Sequence, residues 1–529
     1  MRTLSFNRGE TNLFNQQHLN LVYNQEVYIP YIQRPFSLDA VETQMALKSN
    51  SFSKVERETL HDALISQYEE LNPSEKVKEN ISSLKQKNTF TITTGHQLSL
   101  LTGPLFFVVK ILHVIKQCEL LKEQFPESHF VPIFWMASED HDFEEIQSTN
   151  LFNNKLKWES SQKGPVGRFN LEGLDEVKNE FSAFFSNSEG NEIEEFITHY
   201  SGKNLAEATR NAVNHLFGDR GLLILDGDDR LLKSAFQKVV EKEFTEQFSN
   251  EAVLKTNNKL LADGAHLQVN SREVNLFYID NQIRERIIFE ENKFVIPQLG
   301  AFDLNGIIEL LKKDPTKFSP NVILRPVYQE LILPNLVYVG GGGEISYWLQ
   351  LKGVFDSLGL TYPLIQLRNS VMWIDENMGK KLDKYDLKIE DLFKDKDLLK
   401  KEYIELNESE SLDFSFLDRQ KEMYIDAISK ITLEVDSQLS GFLNGELVKV
   451  EKQIEGVKSK LVKASKLKHD GAMKTIDVLY DRLFPNNSLQ ERNDNFFQLC
   501  AKGNVKEQIQ HLYMALEPFN GDFLVVREI

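Results

Sequence analysis

The sequence predicts an open, doubly wound α/β sheet with inserted subdomains and a C-terminal α-helical coiled coil. Three observations predict it. Short apolar, β-rich runs recur without the period-two alternation of a sheet that is wet on one face, so they read as parallel strands buried on both faces. Helical patterns separate these runs. Near the C-terminus, apolar residues repeat at alternating spacings of four and three.

The runs are Thr89–Thr94 (TFTITT), Phe130–Ala137 (FVPIFWMA), Leu222–Asp226 (LLILD), Val322–Leu324 (VIL) and Leu364–Leu367 (LIQL). Helices are expected over Pro104–Gln124, Asn204–Phe217, Arg230–Phe248 and Glu344–Leu358. A long interval parts the third run from the fourth. It holds its own strand pair, Val274–Asp280 and Arg286–Phe289, joined by a bend at Asn281-Gln282, and reads as an inserted subdomain. A smaller polar insert covers Lys155–Glu192. The heptad seam is Leu443, Leu447, Val450, Ile454, Val457, Leu461 and Ala464. Its partner is either a helix of the same chain, such as Met423–Leu439, or a second subunit. Phe523–Arg527 (FLVVR) reads as a last strand returning to the body. The expected domains are 1–226 with the small insert near 155–192, an inserted subdomain 227–320, the rest of the core at 321–376, and the helical region 377–529.

A chain of 529 residues is too long for one ordinary core. Its 41% hydrophobic and 26% charged content fits a soluble globular protein. A net charge of −18 argues against broad phosphate-backbone binding, so no nucleic-acid partner is expected. Two cysteines, Cys118 and Cys500, make neither a disulfide framework nor a zinc motif, and no structural metal is expected. The N-terminus has no continuous apolar stretch of signal-peptide type, and no stretch reads as a membrane span. The expectation is a cytoplasmic protein with no membrane partner.

Polar residues cluster where strands end. Gly95, His96 and Gln97 break the first run, with Thr102, Gly103 and Pro104 just beyond. A strand that opens a helix at a glycine gathers free backbone N–H groups, and ligands of open α/β sheets bind outside the carboxyl ends of the strands. A tight turn with a satisfied cap is the alternative. The second run ends in Ser138-Glu139-Asp140-His141-Asp142, followed by Glu144 and Glu145. These groups could orient an amine, act as general acid and base, or hold a cation; a capped helix start is the other reading. The third cluster holds Arg325, Gln329 and Glu330, then Gly340, Gly341, Gly342 and Gly343, then Glu344 and Tyr347. Backbone N–H groups of the glycines could hold a carboxylate or phosphate. Arg284, Arg286, Arg325 and Arg368 suit bidentate carboxylate binding, with a surface ion pair equally open for Arg284. Gln490, Glu491 and Arg492 could meet the body or a ligand, or simply cap a helix.

Five stretches together resemble the bacillithiol-biosynthesis cysteine-adding enzymes, the cysteine ligases of that pathway. They are TTGHQLSLLTGPLF at 93–106, FWMASEDHDFEEI at 134–146, REVNLFYID at 272–280 with RERI at 284–287, LRPVYQELILPNLVYVGGGGEISYWLQL at 324–351, and LFPNNSLQER at 483–492. Three positions depart from the family pattern: His96 where it has a second glutamine, Gly342 where it has proline, and Glu330 where it has aspartate. The resemblance implies a Rossmann-like core of the class I aminoacyl-tRNA synthetase kind, connecting-peptide inserts and a dimerising coiled coil. The implied reaction joins the carboxyl of cysteine to the amine of glucosaminyl-malate. Amide formation from a free carboxylate is uphill, so ATP (leaving as ADP or AMP) is the expected co-substrate, with Mg2+ as its candidate companion. A non-catalytic scaffold of the pathway and a nucleotidyl transferase are the alternative readings, because the chain lacks a KMSKS-like lysine loop. In the implied site Gly95, His96, Gln97, Thr102, Gly103 and Pro104 line the floor. Asp140, His141 and Asp142, beside Glu139, bind the sugar amine or take its proton. Arg325 and the backbone of Gly340–Gly343 hold carboxylate or phosphate, with Gln329 and Glu330 alongside. Glu344, read as catalytic, and Tyr347 orient substrate, and Gln490 and Arg492 are candidates for the nucleotide.

Overall fold

The structure is a computed structural model and describes residues 1–186, 191–407, 414–435 and 439–529. Residues 187–190 of the small insert and 436–438 of the expected partner helix lie outside the described residues. The chain divides into two compact units, Met1–Asp375 with Ser488–Ile529, and Glu376–Asn487.

The first unit is built on a five-stranded, all-parallel sheet. Its strands, in spatial order, are Leu364–Leu367, Asn335–Gly340, Thr89–His96, His129–Met136 and Leu223–Asp226. This is a doubly wound, Rossmann-like arrangement. Chain order runs one way from Thr89–His96 and the other way from Asn335–Gly340, so the topological switch point lies between these two neighbours. Alternate side chains of His129–Met136 enter different cores. Val131, Ile133 and Trp135 pack with Leu223 and Leu225 on one face, and Phe134 and Met136 pack with Phe107 and Ile111 on the other. A strand buried on both faces must be apolar at every position, which is why this one shows no alternation.

The helix after the first strand runs Phe106–Gln124 and is buried on most of its circumference, Lys110 and His113 included. The turn before it is strained: Leu101, Thr102 and Gly103 all have positive φ. A Cβ on Gly103 would lie 2.5 Å from Ser99 Cβ, so only glycine fits there.

Three expectations change. Val322–Leu324 is not a strand. Asn321 Oδ1 accepts the N–H of Ile323, and the chain turns into the helix Arg325–Ile332, which Pro326 suits in its first turn. The fourth core strand is Asn335–Gly340 instead. The expected helix Glu344–Leu358 is two, Gly342–Trp348 and Lys352–Leu358. The hairpin of the inserted region is Leu276–Asp280 with Ile283–Arg286, turning at Asn281-Gln282; Phe318–Pro320 pairs on its other side, and Ile288–Glu290 joins a separate small sheet.

Residues 488–529 belong to the first unit. Phe523–Arg527 runs parallel to Ser370–Ile374 and antiparallel to Arg2–Phe6, closing a three-stranded sheet. The second unit is helical. Ser415–Val435 packs against Ser440–Lys468, with Lys458 Nζ 2.5 Å from Asp418 Oδ1. Of the heptad seam, Leu443, Leu447, Val450 and Ile454 are buried or half-buried, whereas Val457, Leu461 and Ala464 are exposed.

Candidate active site

A cavity of about 380 Å³ opens at the switch point, outside the carboxyl ends of Thr89–His96, His129–Met136 and Asn335–Gly340. Gly95, His96 and Gln97 line it from the first strand's end, as the sequence leads one to expect, joined by Glu139 and Asp140, Arg325, Glu344 and Tyr347.

Lys110 lies at its base. Its Nζ donates to the Gly95 carbonyl (2.7 Å) and to Glu344 Oε1 (2.7 Å), and Glu344 Oε2 accepts the Tyr338 hydroxyl (2.7 Å). Glu344 sits in the first turn of its helix and also accepts the Gly341 N–H (3.2 Å). Burial alone would raise the Glu344 carboxyl, but the Lys110 ammonium and the Tyr338 hydroxyl outweigh it and hold the group below its ordinary value. Burial lowers Lys110, with Glu344 opposing.

Asp140 is an organising anion. Its Oδ2 accepts Gln97 Nε2 (2.7 Å), and its Oδ1 accepts the His141 N–H (2.8 Å) and Arg284 Nη1 (3.2 Å). These donors overcome the effect of burial and keep the carboxyl ionised well below its ordinary range. Arg284 comes from the inserted hairpin, where its guanidinium stacks 3.8 Å above the Phe277 ring, and it also reaches His141 Nδ1 (2.6 Å). His96 is wedged between Phe106 and Phe107, with Nδ1 2.8 Å from the Gln97 carbonyl oxygen; burial and Lys110 lower its imidazole to about 4.

Arg325 donates to Gln329 Oε1 (3.1 Å) and Tyr347 Oη (3.2 Å), with its guanidinium beside the rings of Trp135 and Tyr338. Glu139 pairs with the buried Lys233 (2.7 Å), which also pairs with Asp228 (3.0 Å). Burial raises the Glu139 carboxyl, with Lys233 opposing.

Other residues singled out in the sequence have different work. Thr102, Gly103 and Pro104 do not line the cavity. Their turn docks a distant segment, with Leu105 donating to the Asp494 carbonyl (2.7 Å) and Asn495 Nδ2 to the Leu101 carbonyl (2.8 Å). Asp142 is an exposed N-cap for the short helix Phe143–Ile146. Gln329 is fully buried and meets the cavity only through Arg325. Glu330 is held by Lys48 (3.1 Å) and Asn335 (2.7 Å) behind it. Gly340, Gly341, Gly342 and Gly343 shape the turn that delivers Glu344 without lining the cavity, and Gly342 lies against His18. Gln490 Oε1 accepts the Trp373 N–H, Glu491 binds Arg368 through both oxygens, and Arg492 is exposed. Among the described residues no group of three His, Cys, Asp or Glu is arranged to hold a metal ion. The cavity also uses Glu145 of the second cluster, together with Lys110, Trp135 and Tyr338, which sequence reasoning missed as site residues. The available signal for Lys110 was a lone charge inside an apolar helical run.

Residues 3–369 match the family model described as the bacillithiol biosynthesis BshC N-terminal Rossmann-like domain, and residues 371–528 match the BshC C-terminal coiled-coil domain. A relative from Flavobacterium johnsoniae named "Putative cysteine ligase BshC" is 40% identical over 497 residues, 93% of each chain. One of the same name from Christiangramia forsetii is 36% identical over 541 residues, 99% of each chain. A solved Plasmodium falciparum tryptophanyl-tRNA synthetase covers 92% of this chain and 95% of its own at 11% identity and a TM-score of 0.20, too low to bear on the fold. With both family domains in order along the chain and relatives similar over nearly its whole length, the protein belongs to the BshC family of bacillithiol biosynthesis.

Proposed function

We propose that the protein is a cytoplasmic ligase that joins the carboxyl of cysteine to the amine of glucosaminyl-malate, with the carboxylate activated at the expense of ATP. The observation that carries this reading is the polarity of the cavity. Arg325, which has no carboxylate partner among the described residues, gives a cationic side suited to carboxylate or phosphate, whereas Lys110 is matched by Glu344, and Glu139, Asp140 and Glu145 line an acidic side suited to an amine-bearing sugar. In the amide-forming step the amine lone pair attacks the activated cysteine carbonyl. The bond to the phosphate leaving group breaks, the phosphate departs with its electron pair, and the nitrogen gives up its proton to water. Arg325 is the residue of this chain that would meet the phosphates or the malate carboxylates, and Mg2+ would accompany the nucleotide. A homodimer through the helical unit accompanies the proposal, because Met423, Ile431, Val435, Phe442, Val457 and Leu461 leave apolar surface exposed on its two long helices.

The test is product formation by purified protein with glucosaminyl-malate, cysteine, ATP and magnesium, read by mass spectrometry. A thiol conjugate formed in step with AMP or ADP supports the reading and names the activation route. No conjugate, with substrate binding intact by calorimetry, overturns it in favour of a non-catalytic scaffold.

A further inference from the structure

The tautomer of His96 is set by its surroundings. His96 Nδ1 lies 2.8 Å from the Gln97 carbonyl oxygen, which only accepts, so the ring proton sits on Nδ1 and Nε2 is a bare lone pair. That Nε2 has no partner among the described residues. His96 therefore presents an acceptor.

The same logic orients Gln97. Ionised Asp140 only accepts, so the Gln97 side chain turns its NH2 towards Asp140 and leaves Oε1 as an acceptor that is buried and unpaired. An unpaired buried acceptor is costly, and a ligand donor would relieve it. Asp140 itself is already engaged by Gln97, Arg284 and the His141 N–H. The charged groups that face His96 are Lys110 from the helix Phe106–Gln124, Glu344 from the helix Gly342–Trp348, and Arg368 beyond the strand Leu364–Leu367. Glu344 is matched by Lys110, and Asp140, which faces Gln97, is matched by Arg284, which leaves the surroundings of His96 unfavourable for another cation.

From this we infer that His96 Nε2 and Gln97 Oε1 form a neutral acceptor pair that receives the attacking amine as its free base, with Asp140 and Arg284 as positioning residues. The inference rests on the ligase reading and deepens it. A free-base amine already carries the lone pair that attack requires, and its two N–H groups match the two acceptors.

The test is calorimetry of glucosaminyl-malate binding to the full chain, across pH and in two buffers of different ionisation heat. Below the amine's own pKa, binding is expected to release about one proton per complex, and above it none. His96→Leu should weaken binding about tenfold, the loss of one hydrogen bond. His96→Gln, which restores an acceptor, should recover most of it, with thermal unfolding checked for each variant. Binding below the amine's pKa without proton release would overturn the inference and leave the ligase reading standing, as would a His96→Leu protein that binds like the natural one. No binding at any pH would overturn the reading of the site and this inference with it.

Discussion

Lys110 and Glu344 meet at 2.7 Å at the base of the cavity, one from the helix after the first core strand and the other from the helix after the fourth. The pair ties together the two sides of the switch point, since Lys110 also holds the Gly95 carbonyl. Glu344→Ala would leave the Lys110 ammonium buried without its counter-charge. Urea unfolding should show a loss of about 3–5 kcal/mol. The double change Lys110→Met with Glu344→Leu should recover much of that stability and none of the activity.

Arg368 and Glu491 form a buried fork, with both Nη atoms 2.9 Å from the two carboxylate oxygens. Glu491 also accepts the Ser370 hydroxyl and the Val371 N–H, so it pins the segment after residue 488 to the edge of Ser370–Ile374. Lysine cannot supply the fork. Arg368→Lys should cost about 1.5–3 kcal/mol in chemical denaturation, and an unchanged midpoint would show that the fork contributes nothing net.

Stability should fall with acid in two stages. Burial, together with nearby arginines or Lys110, lowers His18 and His113 to about 3 and His96 to about 4. The unfolded chain protonates these rings near pH 6.5. The stability contributed by their neutral folded forms is full above about pH 6.5 and is lost as pH falls towards 4 and 3. Glu344 and Glu491 are held below their ordinary values, so their contribution is intact down to about pH 4.3 and is lost below it, overlapping the end of the histidine loss. Urea midpoints measured from pH 7.5 down to 5 should already decline, and His113→Gln should flatten the slope; a level profile would contradict the buried neutral histidines.

Asp140 should act through Gln97 and Arg284. Asp140→Ala removes the acceptor for both and should lower kcat/KM about a hundredfold. Asp140→Asn keeps an oxygen for the Gln97 amide and should restore part of the loss. Steady-state kinetics of the two variants side by side would check this, and a natural rate in Asp140→Ala would remove the residue from the site.

Arg325→Ala should raise KM for the carboxylate-bearing substrate about 10–100-fold, the value of a charged hydrogen-bonded contact, with a smaller change in kcat. A KM that does not move would place the carboxylate elsewhere.

Much of the first unit was legible locally. Gly95-His96-Gln97 and Glu139-Asp140 sit at strand ends, and strand ends can be read from where an apolar run stops. The glycines at 340–343 were legible as a turn but misleading as ligand contacts, because their service is to bring Glu344 to Lys110. The strand Asn335–Gly340 was hidden by those glycines, and the short β-branched run Val322–Leu324 drew the assignment away from it. Thr102-Gly103-Pro104 looked like a pocket floor because strained small-residue turns occur both at ligand sites and at packing joints; only the docking of Asp494 and Asn495 distinguishes the two.

The sequence by itself determined four of the five buried parallel strands, the hairpin in the inserted region and the long heptad helix. In the strands, and in the heptad helix as far as Ile454, the spacing of apolar residues states which faces are covered. The tertiary structure alone decided which polar residues share the cavity. Lys110 meets Glu344, Arg284 meets Asp140, and Glu330 is withdrawn to Lys48. Periodicity along a segment reports that a side chain is buried, but the partner that neutralises its charge comes from a strand or helix remote in the chain. Which partner arrives is set by the order of strands across the sheet.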